Sequence, residues 1–86
     1  MRQFQYVIQD DAGIHARMAN KLVKAANTYE SDICLVRRGQ KGDMKHIFPI
    51  MALGVRKDDE VTVTINGPDE DEAAETLKKL FEQYLK

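Results

Sequence analysis

Five consecutive residues, Gly13-Ile14-His15-Ala16-Arg17, place an imidazole and a guanidinium where the downstream pattern reads as the entrance of a helix. The start of a helix presents backbone N–H groups without intrahelical acceptors and about half a positive charge, so phosphate binds there readily. Arg17 adds a permanent cation whose forked donors match phosphate oxygens. Neutral imidazole, with an unperturbed pKa of ~6.5, is a nucleophile near neutral pH and can accept and later surrender a phosphoryl group. Gly13 permits close approach of the loop. A histidine ahead of a helix is more often a partly exposed polar residue without a task, and on spacing alone that reading stays ahead. As an N-cap, histidine ranks below Ser, Thr, Asn and Asp, so capping explains His15 poorly.

The elements that must position these groups follow from hydrophobic period. Residues 2–8 alternate Phe4, Tyr6 and Ile8 against Gln3 and Gln5, the pattern of a half-buried strand. From Ala16 to about Tyr29, Ala19, Leu22, Val23 and Ala26 recur at helical spacing. Residues 32–38 predict a second strand, Gly39 a tight turn, and 40–44 a weak third strand. Ile47 to Leu53 predicts a short helix closed by Gly54, with Pro49 tolerated near its first turn. Residues 60–65 alternate Val61, Val63 and Ile65 against Thr62 and Thr64, and Asn66-Gly67 turns the chain away. A last helix is expected from near Pro68, with Asp69 to Glu72 in its acidic first turn and Ala74, Leu77, Phe81 and Tyr84 on one face. The order strand, helix, strand, strand, helix, strand, helix predicts an α+β fold, an antiparallel sheet with helices on one face and solvent on the other.

Composition bounds the function. The 86 residues, 43% hydrophobic and 31% charged, predict one globular domain spanning 1–86. No apolar run approaches the ~18 residues of a membrane span, and the first residues lack the apolar region and cleavage site of a signal peptide. A cytoplasmic protein is expected, and Cys34, inside an apolar run, is assigned to core packing. The net charge of −1 argues against a general nucleic-acid binder.

The chain also resembles the histidine-containing phosphocarrier proteins, HPr, of the phosphoenolpyruvate-dependent sugar phosphotransferase system. The likeness is carried by GIHARMA at 13–19, K-x-I at 45–47, M-x-L-G at 51–54 and V-T-x-x-x-x-G-x-D-E-x-x-A at 61–73. The resemblance spans the chain without gaps. It implies a βαββαβα open-faced sandwich, with four antiparallel strands and three helices on one face. It implies that His15 is phosphorylated on Nδ1, and that Arg17 and the first-turn amides of Ala16, Arg17 and Met18 hold the phosphate. It implies a relay, not an autonomous enzyme, without metal or cofactor, acting as a monomer. Enzyme I would supply the phosphoryl group and permease A domains receive it. Docking would use Asn20, Lys24, Asn27, Ile47, Phe48 and Met51 around the histidine; for Ile47 a place in the core is about as well supported, whereas Phe48 suits an exposed anchor.

Two departures stand out. Met18 occupies the family's proline position, relaxing the first turn and restoring an N–H that is either solvated or turned toward the phosphate. His46 occupies the serine that a dedicated kinase modifies in Gram-positive relatives, so that hydroxyl is missing. Two histidines without cysteine or carboxylate at ligand spacing make a poor metal site, and His46 is expected as an exposed residue at a helix entrance. Against the transport relay stands an HPr-like regulator phosphorylated on His15 that acts on transcriptional or metabolic partners; an RNA-binding module is disfavoured by the acidic last helix.

Overall fold

In a computed structural model that describes residues 1–84, the elements follow the expected order: β1 (Arg2–Val7), α1 (Ala16–Ala26), β2 (Asp32–Arg37), β3 (Gln40–Asp43), α2 (Ile47–Ala52), β4 (Glu60–Asn66) and α3 (Glu70–Tyr84). The strands form one antiparallel sheet in the order β1-β4-β2-β3. Side chains on a strand alternate between faces, so the register sorts the sheet cleanly. Val63 pairs with Phe4 on one side and Leu35 on the other, which sets these residues on the face the helices cover. That face meets Met18, Ala19, Leu22 and Ala26 of α1 and Ala73, Ala74, Leu77 and Phe81 of α3 in one core. The Phe81 ring stands edge-on to Phe4 at 5.6 Å and to Tyr6 at 5.7 Å, tying α3 to the edge strand β1. Among the described residues no helix is long and apolar enough to cross a membrane.

Cys34 departs from its expected place. It pairs with Thr64 and Asp43, one residue out of phase with buried Ile33 and Leu35, and lies half-buried on the open face of the sheet. An apolar run long enough to occupy both faces of β2 disguised the alternation.

Turns and helix ends account for the remaining differences. Arg38 and Gly39 both take positive φ, 50° and 79°, giving β2 and β3 the two-residue hairpin that suits their twist. Helix α1 stops at Ala26 and not near Tyr29, because the Asn27 side chain donates to the Val23 carbonyl and Thr28 Oγ1 to the Ala25 carbonyl, drawing the last turn closed. Pro49 stands third in α2, where a missing N–H costs no helical hydrogen bond. Directly beneath it Gly42 lies so close that a Cβ there would stand 2.8 Å from the Pro49 carbonyl oxygen. The start of α3 falls at Glu70 because Asp69 is engaged outside the helix: its carboxylate accepts the N–H groups of Glu30 and Ser31 and the Ser31 hydroxyl.

Those donors hold the Asp69 carboxyl below the usual carboxylate range, the Ser31 hydroxyl first among them. Asp59 is lowered likewise, chiefly by the Arg56 N–H and then by Arg37. A carboxyl whose folded pKa lies below its unfolded value of ~3.9 contributes stability that is complete above that value and lost as pH falls through the folded one. Urea midpoints are therefore expected to hold from pH 7 to about 5 and to decline below pH ~4. Asp69→Asn should lower the midpoint at pH 7 and flatten the acid limb; a wild-type midpoint equal at pH 6 and pH 3 contradicts this account.

Candidate functional site

The segment leading to α1 is fastened before the histidine is reached. Ile8 exchanges backbone hydrogen bonds with the turn before β4, donating to Asp59 at 2.9 Å and accepting from Asp58 at 2.7 Å. Asp10 Oδ1 accepts the Ala12 N–H at 2.8 Å, and the Gly13 N–H donates to the Asp10 carbonyl. Gly13 has φ +64°, and a Cβ there would press into the backbone of Val55 and Arg56. The close approach that glycine permits is thus to the segment after α2, where the Ile14 N–H also donates to the Val55 carbonyl at 3.2 Å. Ile14 is buried just before His15, and Met18 and Ala19 are buried just after it. His15 itself is exposed. The imidazole is therefore an accessible group on a fixed base.

His15 is the N-cap of α1, with extended backbone (φ −86°, ψ 174°), and its Nδ1 accepts the Met18 N–H at 3.4 Å. Capping, which sequence ranking gave little weight, is thus part of what the residue does. The restored N–H of Met18 turns toward the ring, while the methionine side chain fills the core at 3% exposure. A neutral imidazole has one donor and one acceptor nitrogen, so acceptance at Nδ1 assigns the ring proton to Nε2. The Nδ1 lone pair therefore faces the first-turn amides. No acidic residue occupies that turn, leaving its partial positive charge unneutralised.

Arg17 lines a shallow pocket of about 230 Å³ together with His15, Met18, Asp10, Lys21 and Tyr84. Sequence reasoning missed the last three. Lys21 was legible in principle, one helical turn beyond Arg17; Tyr84 was not, because only packing of α3 against α1 brings it here. Expected on the inner face of α3, the Tyr84 side chain is instead 42% exposed, and its ring receives the Lys21 ammonium at 4.4 Å.

The remaining sequence candidates lie on α1, α2 and their connection. Asn20 and Lys24 are exposed on α1. Asn27 Nδ2 donates to the carbonyls of Val23 and Lys45, and Lys45 Nζ to the Tyr29 carbonyl, fixing the end of α1 to the approach of α2. On α2, Phe48 is 83% exposed and Met51 39%, whereas Ile47 is half-buried against the core. Phe48 is not a core residue. His46 precedes α2 without capping it, exposed, with Nε2 3.9 Å from Asp43 Oδ2. Among the described residues no group of three or more His, Cys, Asp and Glu side chains could hold a metal ion.

Comparison with known proteins places the chain in a family. A family model described as the PTS HPr component phosphorylation site matches residues 2–83. The phosphocarrier protein HPr of Mycoplasma genitalium is 40% identical over 84 residues, 96% of each chain. That of Mycoplasma pneumoniae is 36% identical over 85 residues, 98% of this chain and 97% of its own. Among solved structures, HPr from Thermoanaerobacter tengcongensis superposes with a TM-score of 0.92 at 34% identity, covering 96% of this chain and 93% of the other. With the family model, full-length relatives and backbone in agreement, the chain belongs to the HPr family of phosphocarrier proteins of the phosphotransferase system.

Proposed function

We propose that this chain carries a phosphoryl group on Nδ1 of His15, taking it from enzyme I charged by phosphoenolpyruvate and passing it to permease A domains during sugar uptake. The observation that supports this most directly is the Nδ1 lone pair facing the Met18 N–H at the start of α1, beside Arg17. In the loading step that lone pair forms a P–N bond, while the bond from phosphorus to the donor atom breaks and its electrons stay with the donor. Nε2 keeps its proton, so the phosphorylated ring is cationic and remains a good leaving group for the next acceptor. Arg17 and the amides of Ala16, Arg17 and Met18 meet the phosphate oxygens, charge that appears only as phosphorylation proceeds. The protein supplies position and field, and the partners supply the remaining machinery.

In this reading the protein works as a single-domain cytoplasmic monomer without metal or cofactor. Asn20, Lys24, Ile47, Phe48 and Met51 dock partners around the imidazole, while Asn27 braces that surface through its bonds to Val23 and Lys45. The relatives named as phosphocarriers favour the relay over a purely regulatory role. Position 46 offers no hydroxyl to a serine kinase, and the chain's one serine, Ser31, is fully buried and bonded to Asp69.

The direct test is incubation with enzyme I and phosphoenolpyruvate, in which one acid-labile phosphoryl group per chain should appear by mass spectrometry. Arg17→Ala should slow transfer by roughly 10²-fold, the scale of losing one donor to developing charge, with Arg17→Lys recovering part of the rate. Rapid-quench transfer rates set beside thermal unfolding decide the matter: a sharp stability loss with unchanged transfer makes Arg17 a structural residue.

A further inference from the structure

We propose that Lys21 is a second cation of the phosphoryl site, held beside it by the Tyr84 ring, so that the end of α3 helps to set the charge around His15. The inference rests on the carrier reading and extends it to two residues outside the GIHAR segment. Lys21 follows Arg17 by four residues on α1, and side chains at that spacing leave the same helix face. Helical side chains also lean toward the N-terminus, which carries the Lys21 stem toward Arg17 and His15. Both cations line the same pocket as the imidazole. Lys21 Nζ stands 4.4 Å from the centroid of the Tyr84 ring, within the ~6 Å over which an aromatic face attracts an ammonium. A long flexible stem is thereby held near the pocket before any phosphate arrives.

Charge balance gives the second cation its purpose. Among the described residues the other charged group lining the pocket is Asp10, whose carboxylate accepts the Ala12 N–H. Asp10 offsets Arg17, so Arg17 alone leaves the fixed side-chain charge of the pocket near zero. Lys21 makes it positive, which an incoming group of about −1.5 to −2 requires. An aromatic ring suits a holding partner better than a carboxylate does: it orients the ammonium without cancelling its charge.

The test phosphorylates the wild type, Lys21→Gln, Lys21→Arg, Tyr84→Leu and Tyr84→Phe with enzyme I and phosphoenolpyruvate, and in parallel with phosphoramidate, a small donor that needs no partner. The readout is the ³¹P titration of the bound phosphoryl group, together with thermal unfolding. A nearby cation favours the doubly charged phosphate, so Lys21→Gln should raise the phosphoryl pKa by roughly half a unit without moving the thermal midpoint. Lys21→Arg and Tyr84→Phe should titrate as the wild type does, and Tyr84→Leu should fall between wild type and Lys21→Gln. An unchanged titration in Lys21→Gln, or a shift that Lys21→Arg fails to restore, overturns the role of Lys21; wild-type behaviour of Tyr84→Leu overturns that of Tyr84. Failure of the wild type to take label from either donor overturns the carrier reading and this inference with it.

Discussion

His15→Ala is expected to take up no acid-labile phosphoryl group from enzyme I and phosphoenolpyruvate, while remaining folded. Total loss is expected because each other contributor, Arg17 and the first-turn amides, can bind phosphate but has no lone pair with which to form a transferable bond. Stability should change little, for two reasons. The imidazole is exposed, so its removal opens no cavity. Its cap to the Met18 N–H is long, 3.4 Å, and the loss should lie near the lower end of the ~0.5–2 kcal/mol range for cap removal. Intact mass before and after acid treatment, with urea unfolding of the same sample, checks both halves. Stoichiometric label persisting on the variant places the acceptor elsewhere and removes the carrier assignment.

Phe81→Ala is the substitution expected to harm the fold most. The side chain is fully buried, and its ring meets Phe4 and Tyr6 edge-on. Truncation removes the transfer energy of the ring, leaves a cavity and ends both aromatic pairings, together ~3–5 kcal/mol. Whole domains are commonly stable by only ~5–15 kcal/mol, so the variant should lose a large share of its stability. Urea unfolding at 25 °C measures the loss directly. A change below about 1 kcal/mol would mean that α3 and β1 hold together without this contact, contrary to a buried aromatic's usual weight.

Much of this molecule is legible in its sequence because the two hydrophobic periods are kept apart. β4 buries Val61, Val63 and Ile65 as its alternation selects, β1 and α1 turn their selected faces toward the core with Phe4, Tyr6 and Val23 half-buried, and the acidic opening of α3 marks that helix within two residues. Cys34 was misplaced where the period fails, in a strand apolar on both faces. The site was half legible. His15 and Arg17 stand in one short segment, and both meet in the pocket. The contribution of Tyr84 depends on how two helices pack across a sheet, which no local pattern encodes. The partner of Gly13 was hidden for the same reason: the glycine is a local signal, but the backbone it accommodates lies more than forty residues away in sequence.

Gly42 belongs to a short, nearly polar strand and has no side chain to contribute. Its missing atom nonetheless sets the height at which α2 rides above the sheet, since any Cβ would meet the Pro49 carbonyl. Phe48 and Met51 ride on that same two-turn platform. Position 42 is thus answerable to a helix it does not belong to. Its neighbours Lys41 and Asp43 point to the opposite face, clear of Pro49, whereas a methyl group added at 42 would tilt the surface that carries the exposed aromatic.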